Sequence, residues 1–375
     1  MSSPTNSQQH LLILISCGGT GGHLLPGLAL GEQIAKNENV SVLFLVNDKK
    51  VASFVTPQMR FECYVLPEVK YAELKSLHFW RPLWRLLQSL LFLIRLLLTR
   101  RVLGTVSAGG GAGTLPILLS RVFGVPAALL EQNVIMGQAN RVLLRFVKTA
   151  YLSLPCSNMK DDEKLKCLGN PLRESLLASK ISRSQAAEKL GLFPDAFTLL
   201  VLGGSQGAKT LNEWAMQVMG DLRARKKNLQ LIHLTGNTLL SECRALYQKL
   251  GVKAYCEAFC EDMAPVYALS DFCVSRAGGG AIAELGLFHI PTVYVPFPFA
   301  AEDHQKANAV LAEQWGAGWK MEEKELLTQS GREKISKLLE DVEAQERCRE
   351  NQKKHAAPNA ATDIARDFLR SIKRC

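Results

Sequence analysis

One local pattern, an apolar strand followed by a glycine-rich turn and a helix, occurs twice in this chain. The first copy runs from Leu11 through the turn at 18–22, and the second runs from Thr198 through the turn at 203–208. After the second turn, apolar residues at 211, 214, 215, 218, 219 and 222 recur at helical spacing. A strand, a glycine turn and a helix open a doubly wound α/β fold. Two such openings in 375 residues predict two similar α/β halves.

Further apolar runs alternate with helix-compatible segments in both halves, which favours parallel sheets. A turn-forming cluster at 169–171 indicates the boundary between the halves. We therefore expect an N-terminal domain over 1–172, a C-terminal domain over 173–357 and a last helix within 358–375. The periodicity of that helix does not identify its partner, and a return to the N-terminal domain is the arrangement to test. The other predicted strands are 40–46, 102–107, 127–130, 229–234, 272–275 and 292–295.

A third glycine loop, at 278–280, also follows a predicted strand and precedes a helix-compatible stretch. The N–H groups at a helix N-terminus attract anions such as pyrophosphate. Glu284 falls about one turn into that helix, where a carboxylate can accept hydrogen bonds from ribose hydroxyls. None of the loops is a Walker P-loop or a clean G-x-G-x-x-G fingerprint. The loops predict a phosphate-bearing ligand without assigning redox chemistry.

Charge and cysteine usage narrow the classes of partner. The net charge of +10 attracts polyanions, but there is no zinc-finger spacing and no RNA-binding aromatic motif. We therefore expect no nucleic-acid partner. The ten cysteines are scattered and form no C-x-x-C pair, which is typical of free thiols in a reducing compartment. No bound metal is expected, and the polar N-terminus does not read as a secretory signal.

The most apolar segment, 83–98, is interrupted by Arg85 and Arg95. Its uncharged run is far shorter than the roughly 20 residues that a spanning helix needs, so we expect that it does not cross a membrane. Basic residues from Lys70 to Arg101 surround Trp80 and Trp84, which favours contact with an anionic membrane surface. The alternative is a core helix whose arginine head groups reach solvent.

Six motifs occur in order along the chain: GGTGGH at 18–23, EQN at 131–133, GNPLR at 169–173, GGSQGA at 203–208, SRAGGGAIAE at 275–284 and DHQKANA at 303–309. Together they resemble the MurG family of UDP-N-acetylglucosamine–N-acetylmuramyl-(pentapeptide) pyrophosphoryl-undecaprenol N-acetylglucosamine transferases, over roughly residues 11–361. The resemblance implies a GT-B fold, in which two Rossmann-like domains have parallel sheets facing across a cleft.

The resemblance also implies the reaction and its setting. N-acetylglucosamine would pass from UDP-GlcNAc to the muramic acid 4-hydroxyl of lipid I, with inversion, to give lipid II for peptidoglycan synthesis, cell division and cell shape. The enzyme would need no cofactor and would work peripherally at the cytoplasmic face of the inner membrane. Cell-wall synthesis or division proteins are its expected protein partners.

Individual residues receive roles through the matching motifs. Arg173 would add positive charge near the diphosphate, Cys260 would contact uracil through its backbone, and Gln305 and Asn133 would recognise the sugar. The other expected substrate-binding residues lie in the glycine loops and the helices after them: Thr20, Gly21, Gly22, Ser205, Gln206, Gly279, Gly280, Ala281, Ile282, Ala283 and Glu284.

The catalytic base has two candidates. His23 leads because an imidazole titrates near neutral pH and because this residue closes the first glycine turn, at the carboxyl end of a strand. Its structural alternative is a histidine that only orders the loop or binds phosphate. Glu131, a carboxylate at the end of another predicted strand, is the rival base.

Two other functions stay open at this point. A UDP-GlcNAc 2-epimerase, or another transferase of the same fold, would share the donor site. A catalytically silent UDP-sugar-binding scaffold at the membrane is favoured only by the altered loop at 111–114. The chain reads GGGAGTL over 109–115, where the resembled family often has GGYVSGP.

Overall fold

Two α/β units make up the computed structural model, which describes residues 11–19, 21–47, 61–66, 80–159, 162–204 and 207–373. The first unit contains the described residues up to Gln132, then Met136–Arg173 and the segment from Asn359. The second contains Asn133–Ile135 and Glu174–Pro358. The chain thus leaves the first unit after Arg173 and returns to it at Asn359.

The first unit is built on a seven-stranded parallel sheet in the order β3-β2-β1-β4-β5-β6-β7. Its first six strands follow the doubly wound order 3-2-1-4-5-6, which reverses direction between β1 and β4. Ligands of this fold bind where the order reverses, outside the carboxyl ends of the strands. The strands are β1 Leu11–Cys17, β2 Val40–Val46, β3 Glu62–Val65, β4 Val102–Ser107, β5 Ala127–Glu131, β6 Thr149–Leu152 and β7 Leu165–Cys167.

Helices cover both faces of this sheet, because alternate strand residues point to opposite sides. Ile13 and Ile15 of β1 pack with Leu28 of the first helix and Phe368 of the last one. Leu14, between them in sequence, packs on the other face against the second and third helices. The α-helices of this unit are α1 Gly21–Ala35, α2 Trp80–Thr99, α3 Thr114–Val122 and α4 Gln138–Leu143, with α15 Ala360–Lys373 returning from the end of the chain.

The second unit repeats the arrangement with six parallel strands in the order β10-β9-β8-β11-β12-β13. This is again the order 3-2-1-4-5-6, and it reverses between β8 and β11. The prediction of two halves with the same α/β plan is confirmed. The strands are β8 Phe197–Leu202, β9 Leu229–Leu234, β10 Ala254–Glu257, β11 Phe272–Ser275, β12 Thr292–Tyr294 and β13 Trp319–Lys320.

The second sheet is likewise buried on both faces. Leu199 and Val201 of β8 face one apolar cluster with Trp214, whereas Leu200 and Leu202 face the other. Its helices are α5 Glu174–Leu177, α6 Arg183–Leu190, α7 Lys209–Arg225, α8 Leu240–Lys249, α9 Met263–Leu269, α10 Gly279–Leu287, α11 His304–Gln314, α12 Glu323–Leu326, α13 Gln329–Glu340 and α14 Val342–His355. Single 3₁₀ turns lie at Gly111–Gly113, Leu144–Phe146 and Ala301–Asp303.

Helix α2 is the one helix of the described residues that is long and apolar enough to cross a membrane, by length and composition alone. In this fold it connects two parallel strands of one sheet, and its Leu93 and Leu96 are buried against that sheet. The opposite side is open, with Trp80 67% and Trp84 60% exposed. The geometry is that of a crossover helix with an uncovered apolar side.

Candidate active site

In the first unit, the glycine turn after β1 lies against the loop after β4, where the strand order reverses. Gly18 N donates to Gly109 O at 3.1 Å. Gly109 has a φ of +105°, and a Cβ atom there would lie 2.6 Å from His23 Nδ1. Glycine is therefore required at 109 both by the backbone conformation and by the approach of the imidazole.

His23 lies in the first turn of α1 and is half-buried. Its Nδ1 is 3.0 Å from Ala108 O and 3.1 Å from Gln132 Oε1, and Gln132 Nε2 donates to the same carbonyl at 3.0 Å. Because both neighbours of Nδ1 are oxygen acceptors, we assign the proton to Nδ1 and the lone pair to Nε2. The loops thus hold one tautomer, with Nε2 as the nitrogen that can accept a proton. Gln132, which the sequence analysis passed over, orients the ring.

Glu131 occupies a different environment at the end of β5. Its side chain is 2% exposed, and its Oε2 accepts hydrogen bonds from Gly137 N at 3.0 Å and Asn140 Nδ2 at 2.8 Å. Gly137 is the N-cap residue of α4, so the carboxylate organises the turn that begins this helix.

Asn133 belongs to the second unit, although the sequence analysis assigned its range to the first domain. Its Oδ1 accepts from Asn308 Nδ2 at 2.9 Å, and Val134 N donates to Asn308 Oδ1 at 2.9 Å. Asn308 is fully buried and also donates to Ala277 O at 3.0 Å. Asn308 was not singled out from the sequence, although it lies within the DHQKANA motif that could have drawn attention to it.

The second unit has its own glycine turn, after β8, and this turn lies against the loop after β9. Gly207 has a φ of +77°, and a Cβ there would lie 2.5 Å from Thr235 O. Buried Asn212, in the first turn of α7, holds the same carbonyl with its Nδ2 at 3.0 Å. Its Oδ1 lies 3.0 Å from Nε2 of buried His233. Three predicted contacts, Thr20, Ser205 and Gln206, lie outside the described residues.

The start of α10 provides backbone donors for an anion. The first intrahelical hydrogen bond is Ile282 N to Gly278 O at 3.0 Å, so the N–H groups of Gly279, Gly280 and Ala281 precede the helical ladder. A Cβ added at Gly278 or Gly280 would meet nothing within 4 Å. The N-terminus of α10 therefore presents N–H groups that have no partner within the helix, together with the positive end of the helix dipole and open space for a ligand.

The next turn of α10 supplies the candidate ribose contact. Glu284 is half-buried, and its Oε2 accepts from Tyr267 OH at 2.6 Å. This bond fixes the carboxylate one turn from the glycines. Ile282, in contrast, is buried in the apolar core, so only its backbone is available to a ligand, and Ala283 is half-buried.

The other predicted contacts lie at loop ends. Gln305, in the first turn of α11, accepts from Phe297 N through its Oε1 at 3.0 Å. The Cys260 thiol donates to Asp262 O at 3.2 Å, and burial raises its pKa, which disfavours a thiolate. Arg173 is half-buried at the point where the chain leaves the first unit. Within the ranges that the structure describes, no group of three or more His, Cys, Asp or Glu side chains could hold a metal ion.

Both halves of the chain match known protein family models. Residues 13–152 match the glycosyltransferase family 28 N-terminal domain, and residues 198–366 match the glycosyltransferase family 28 C-terminal domain. The UDP-N-acetylglucosamine–N-acetylmuramyl-(pentapeptide) pyrophosphoryl-undecaprenol N-acetylglucosamine transferase of Myxococcus xanthus is 31% identical over 362 residues. That alignment covers 94% of this chain and 91% of the relative.

Solved structures agree on the fold. Acinetobacter baumannii MurG superposes with a TM-score of 0.74 at 22% identity, over 96% of this chain and 99% of that one. A UDP-GlcNAc 2-epimerase from Neisseria meningitidis, solved with UDP-GlcNAc bound, gives a TM-score of 0.68 at 14% identity, over 96% of this chain and 100% of that one. The predicted GT-B class of two Rossmann-like α/β domains is confirmed. Because both kinds of enzyme share it, the fold alone does not separate transfer from epimerisation.

Proposed function

We propose that this chain carries out the reaction of the family to which it belongs, the UDP-N-acetylglucosamine–N-acetylmuramyl-(pentapeptide) pyrophosphoryl-undecaprenol N-acetylglucosamine transferases. The chain transfers N-acetylglucosamine from UDP-GlcNAc to the muramic acid 4-hydroxyl of lipid I and forms lipid II. The observation that carries the proposal is the open N-terminus of α10, with Glu284 fixed one turn away, in a chain that aligns along nearly its whole length with such a transferase.

The donor is held by the second unit. The N–H groups of Gly279 to Ala281 bind the diphosphate, and Glu284 accepts hydrogen bonds from the ribose. Ser205 and Gln206 of the second glycine loop and Arg173 add to the diphosphate site, as the family motifs indicate. Backbone atoms at Cys260 bind uracil, so its thiol is dispensable. Gln305 and Asn133 recognise the sugar.

Transfer of the sugar requires that the acceptor hydroxyl is activated and that the departing UDP is stabilised. His23 Nε2 takes the proton of the acceptor 4-hydroxyl as its oxygen forms a bond to the anomeric carbon. The bond from that carbon to the UDP oxygen breaks, and UDP departs with the electron pair, which backbone donors and the helix dipole stabilise. Attack opposite to the leaving group inverts the anomeric configuration. As the family motifs indicate, Thr20, Gly21 and Gly22 of the GGTGGH motif contribute to substrate binding. The two hydrogen bonds on Glu131 Oε2 support a structural role for that carboxylate.

A lipid-linked acceptor requires the enzyme to work at a membrane surface. The uncovered side of α2 supports peripheral attachment there, because it combines exposed tryptophans with Arg81, Arg85 and Arg95. The proposed location is the cytoplasmic face of the inner membrane.

The test is turnover by the purified chain with UDP-GlcNAc and a short-chain lipid I analogue. We expect lipid II and UDP in equal amounts, detected by mass spectrometry. Formation of UDP-ManNAc without acceptor would indicate the epimerase instead. Binding of UDP-GlcNAc with no product would indicate a silent scaffold, and either result overturns the transferase.

A further inference from the structure

An ion pair between a buried arginine and a half-buried glutamate in the second unit connects three loops next to the proposed donor site. Arg276, directly after β11, is 7% exposed, and its Nη1 lies 2.6 Å from Glu323 Oε2. Glu323 is the first residue of α12, and its Oε1 accepts a hydrogen bond from Thr210 Oγ1. Thr210 is in the first turn of α7, directly after the glycine loop 203–208. Glu323 therefore holds Arg276 from one side while it is itself anchored at the start of α7.

The guanidinium of Arg276 also reaches the loop after β12. Its Nη1 donates to Val295 O at 3.3 Å and to Pro296 O at 3.2 Å. The same group lies over the ring of Phe297, 5.4 Å from its centroid. One arginine thus fixes two consecutive carbonyls of this loop and contacts the next side chain. A lysine would not reproduce these contacts, because its nitrogen lies one bond closer to the backbone than Nη1 and because it lacks the flat guanidinium face that lies over Phe297.

Val295 and Pro296 at the start of this loop are buried, but core packing does little to hold the residues that follow them. Phe297 is 42% exposed and Phe299 is 83% exposed, and their rings contact each other edge to face at 5.7 Å. The backbone N–H of Phe297 donates to Gln305 Oε1. The position of the Gln305 amide therefore depends on Phe297, whose own position depends on the polar contacts of Arg276.

We propose that Arg276, fixed by Glu323, is a positioning residue that sets the sugar-recognising loop 295–305. This inference rests on the proposed function, since it takes the loop to bind the sugar of UDP-GlcNAc. The proposed uridine and diphosphate contacts come from other segments, at 173, 205–206, 260 and 279–284. Loss of the pair should therefore weaken recognition of the sugar more than recognition of UDP.

The experiment compares UDP and UDP-GlcNAc binding by calorimetry, together with kcat and KM, in wild type, Arg276→Lys and Glu323→Gln. We expect both variants to lower kcat/KM for UDP-GlcNAc about tenfold to a hundredfold, because rate falls steeply when a reacting group is misplaced. The affinity for UDP should change less than about threefold. Glu325→Gln is the matched control. Glu325 lies on the same helix, but its pair with Lys334 is at 3.4 Å and exposed, so both quantities should stay at the wild-type value.

The outcomes separate this inference from the proposed function. An equal loss of UDP and UDP-GlcNAc affinity, or unchanged kinetics in both variants, overturns the positioning role. If Arg276→Lys does not unfold cooperatively, Thr210→Val, which removes only the hydroxyl that anchors Glu323, must show the same selective loss. Wild type that binds UDP-GlcNAc but makes no lipid II overturns the transferase, while the affinity ratios still decide the inference. Wild type that binds neither ligand overturns both.

Discussion

His23 shows how a single residue acquires a chemical role from its neighbours. A histidine in a glycine-rich turn would ordinarily sample both tautomers and several ring orientations. Here Ala108 O and Gln132 Oε1 both face Nδ1, and Gln132 is held by the same carbonyl. The proton is thereby committed to Nδ1, and a base with its lone pair on Nε2 is available without rearrangement.

Replacing His23 with alanine tests this role. We expect kcat to fall about 10²–10⁴-fold, the usual loss of a general base, while UDP-GlcNAc affinity by calorimetry stays near the wild-type value. Glu131→Gln is the comparison, and it should mainly lower thermal stability because it disturbs the bonds to Gly137 and Asn140. A fall in kcat below tenfold, or a proportional loss of donor affinity, would assign His23 a structural role.

At the scale of elements, the sequence was most informative where strands are central and buried. The eight predicted strands are all present, because buried parallel strands read as continuous apolar runs. Four of the five strands that were not predicted, β3, β7, β10 and β13, are sheet edges of two to four residues. The fifth, β6, is a short run, TAYL, whose burial comes from its neighbours in the sheet.

In the candidate site, too, local features could be predicted from the sequence and long-range contacts could not. Glycine turns and motif residues could be located from sequence because φ and helix starts are local properties. The partners that orient them could not, since Gln132 lies 109 residues from His23 and Asn308 lies 175 residues from Asn133. The same limit hid the ion pair of Arg276 with Glu323. Contacts of this kind depend on the sheet order, which no local pattern specifies.

Among the helices, α2 is the one that we expect to bind the membrane surface. We expect Arg81→Glu, Arg85→Glu and Arg95→Glu, combined, to release the protein from vesicles that contain anionic lipid. Each basic residue near such a surface contributes about 1 kcal/mol, so the triple change should lower partitioning at least roughly a hundredfold in a sedimentation assay at low salt.

The control for α2 reverses the same number of charges elsewhere. Lys324→Glu, Lys334→Glu and Lys337→Glu change three exposed lysines of α12 and α13 in the second unit. Their combination should leave vesicle binding nearly intact. If both triple variants are released equally from the vesicles, net charge alone explains the effect. If the α2 variant stays bound, this helix is not the membrane-binding surface.

At the scale of the whole molecule, the first unit is completed by a helix from the far end of the chain. Asp367 of α15 accepts from Tyr151 OH at 2.8 Å and pairs with Lys166 Nζ at 2.8 Å. Burial opposes ionisation of this carboxyl, but the contacts with Lys166 and Tyr151 outweigh it and lower the pKa of Asp367. A lowered pKa means that this contribution to stability is present above the unfolded value near pH 4 and is lost as pH falls through the folded value.

Asp367→Asn should therefore lower the free energy of unfolding at pH 7 by about 1 kcal/mol. This is the contribution of a hydrogen bond to a charged group, reduced because the pair is partly exposed to solvent. The loss should shrink when thermal unfolding is measured below pH 4, where the wild-type carboxyl is increasingly protonated. Asp363→Asn is the matched control on the same helix, because its pair with Arg366 is local and exposed. A loss for Asp367→Asn that stays constant across this pH range would contradict the assignment.

The return of α15 to the first unit also has a consequence for protein synthesis. A ribosome makes β1 first, yet the face of β1 that carries Ile13 and Ile15 is closed by Phe368 and Ile372, which are made more than 300 residues later. All parts of the second unit are complete once Pro358 has been made. The earlier-encoded unit therefore cannot complete its folding until the whole of the later-encoded unit has been made, the reverse of the usual order. Until α15 has been made, the nascent first unit therefore exposes the apolar groove that this helix fills.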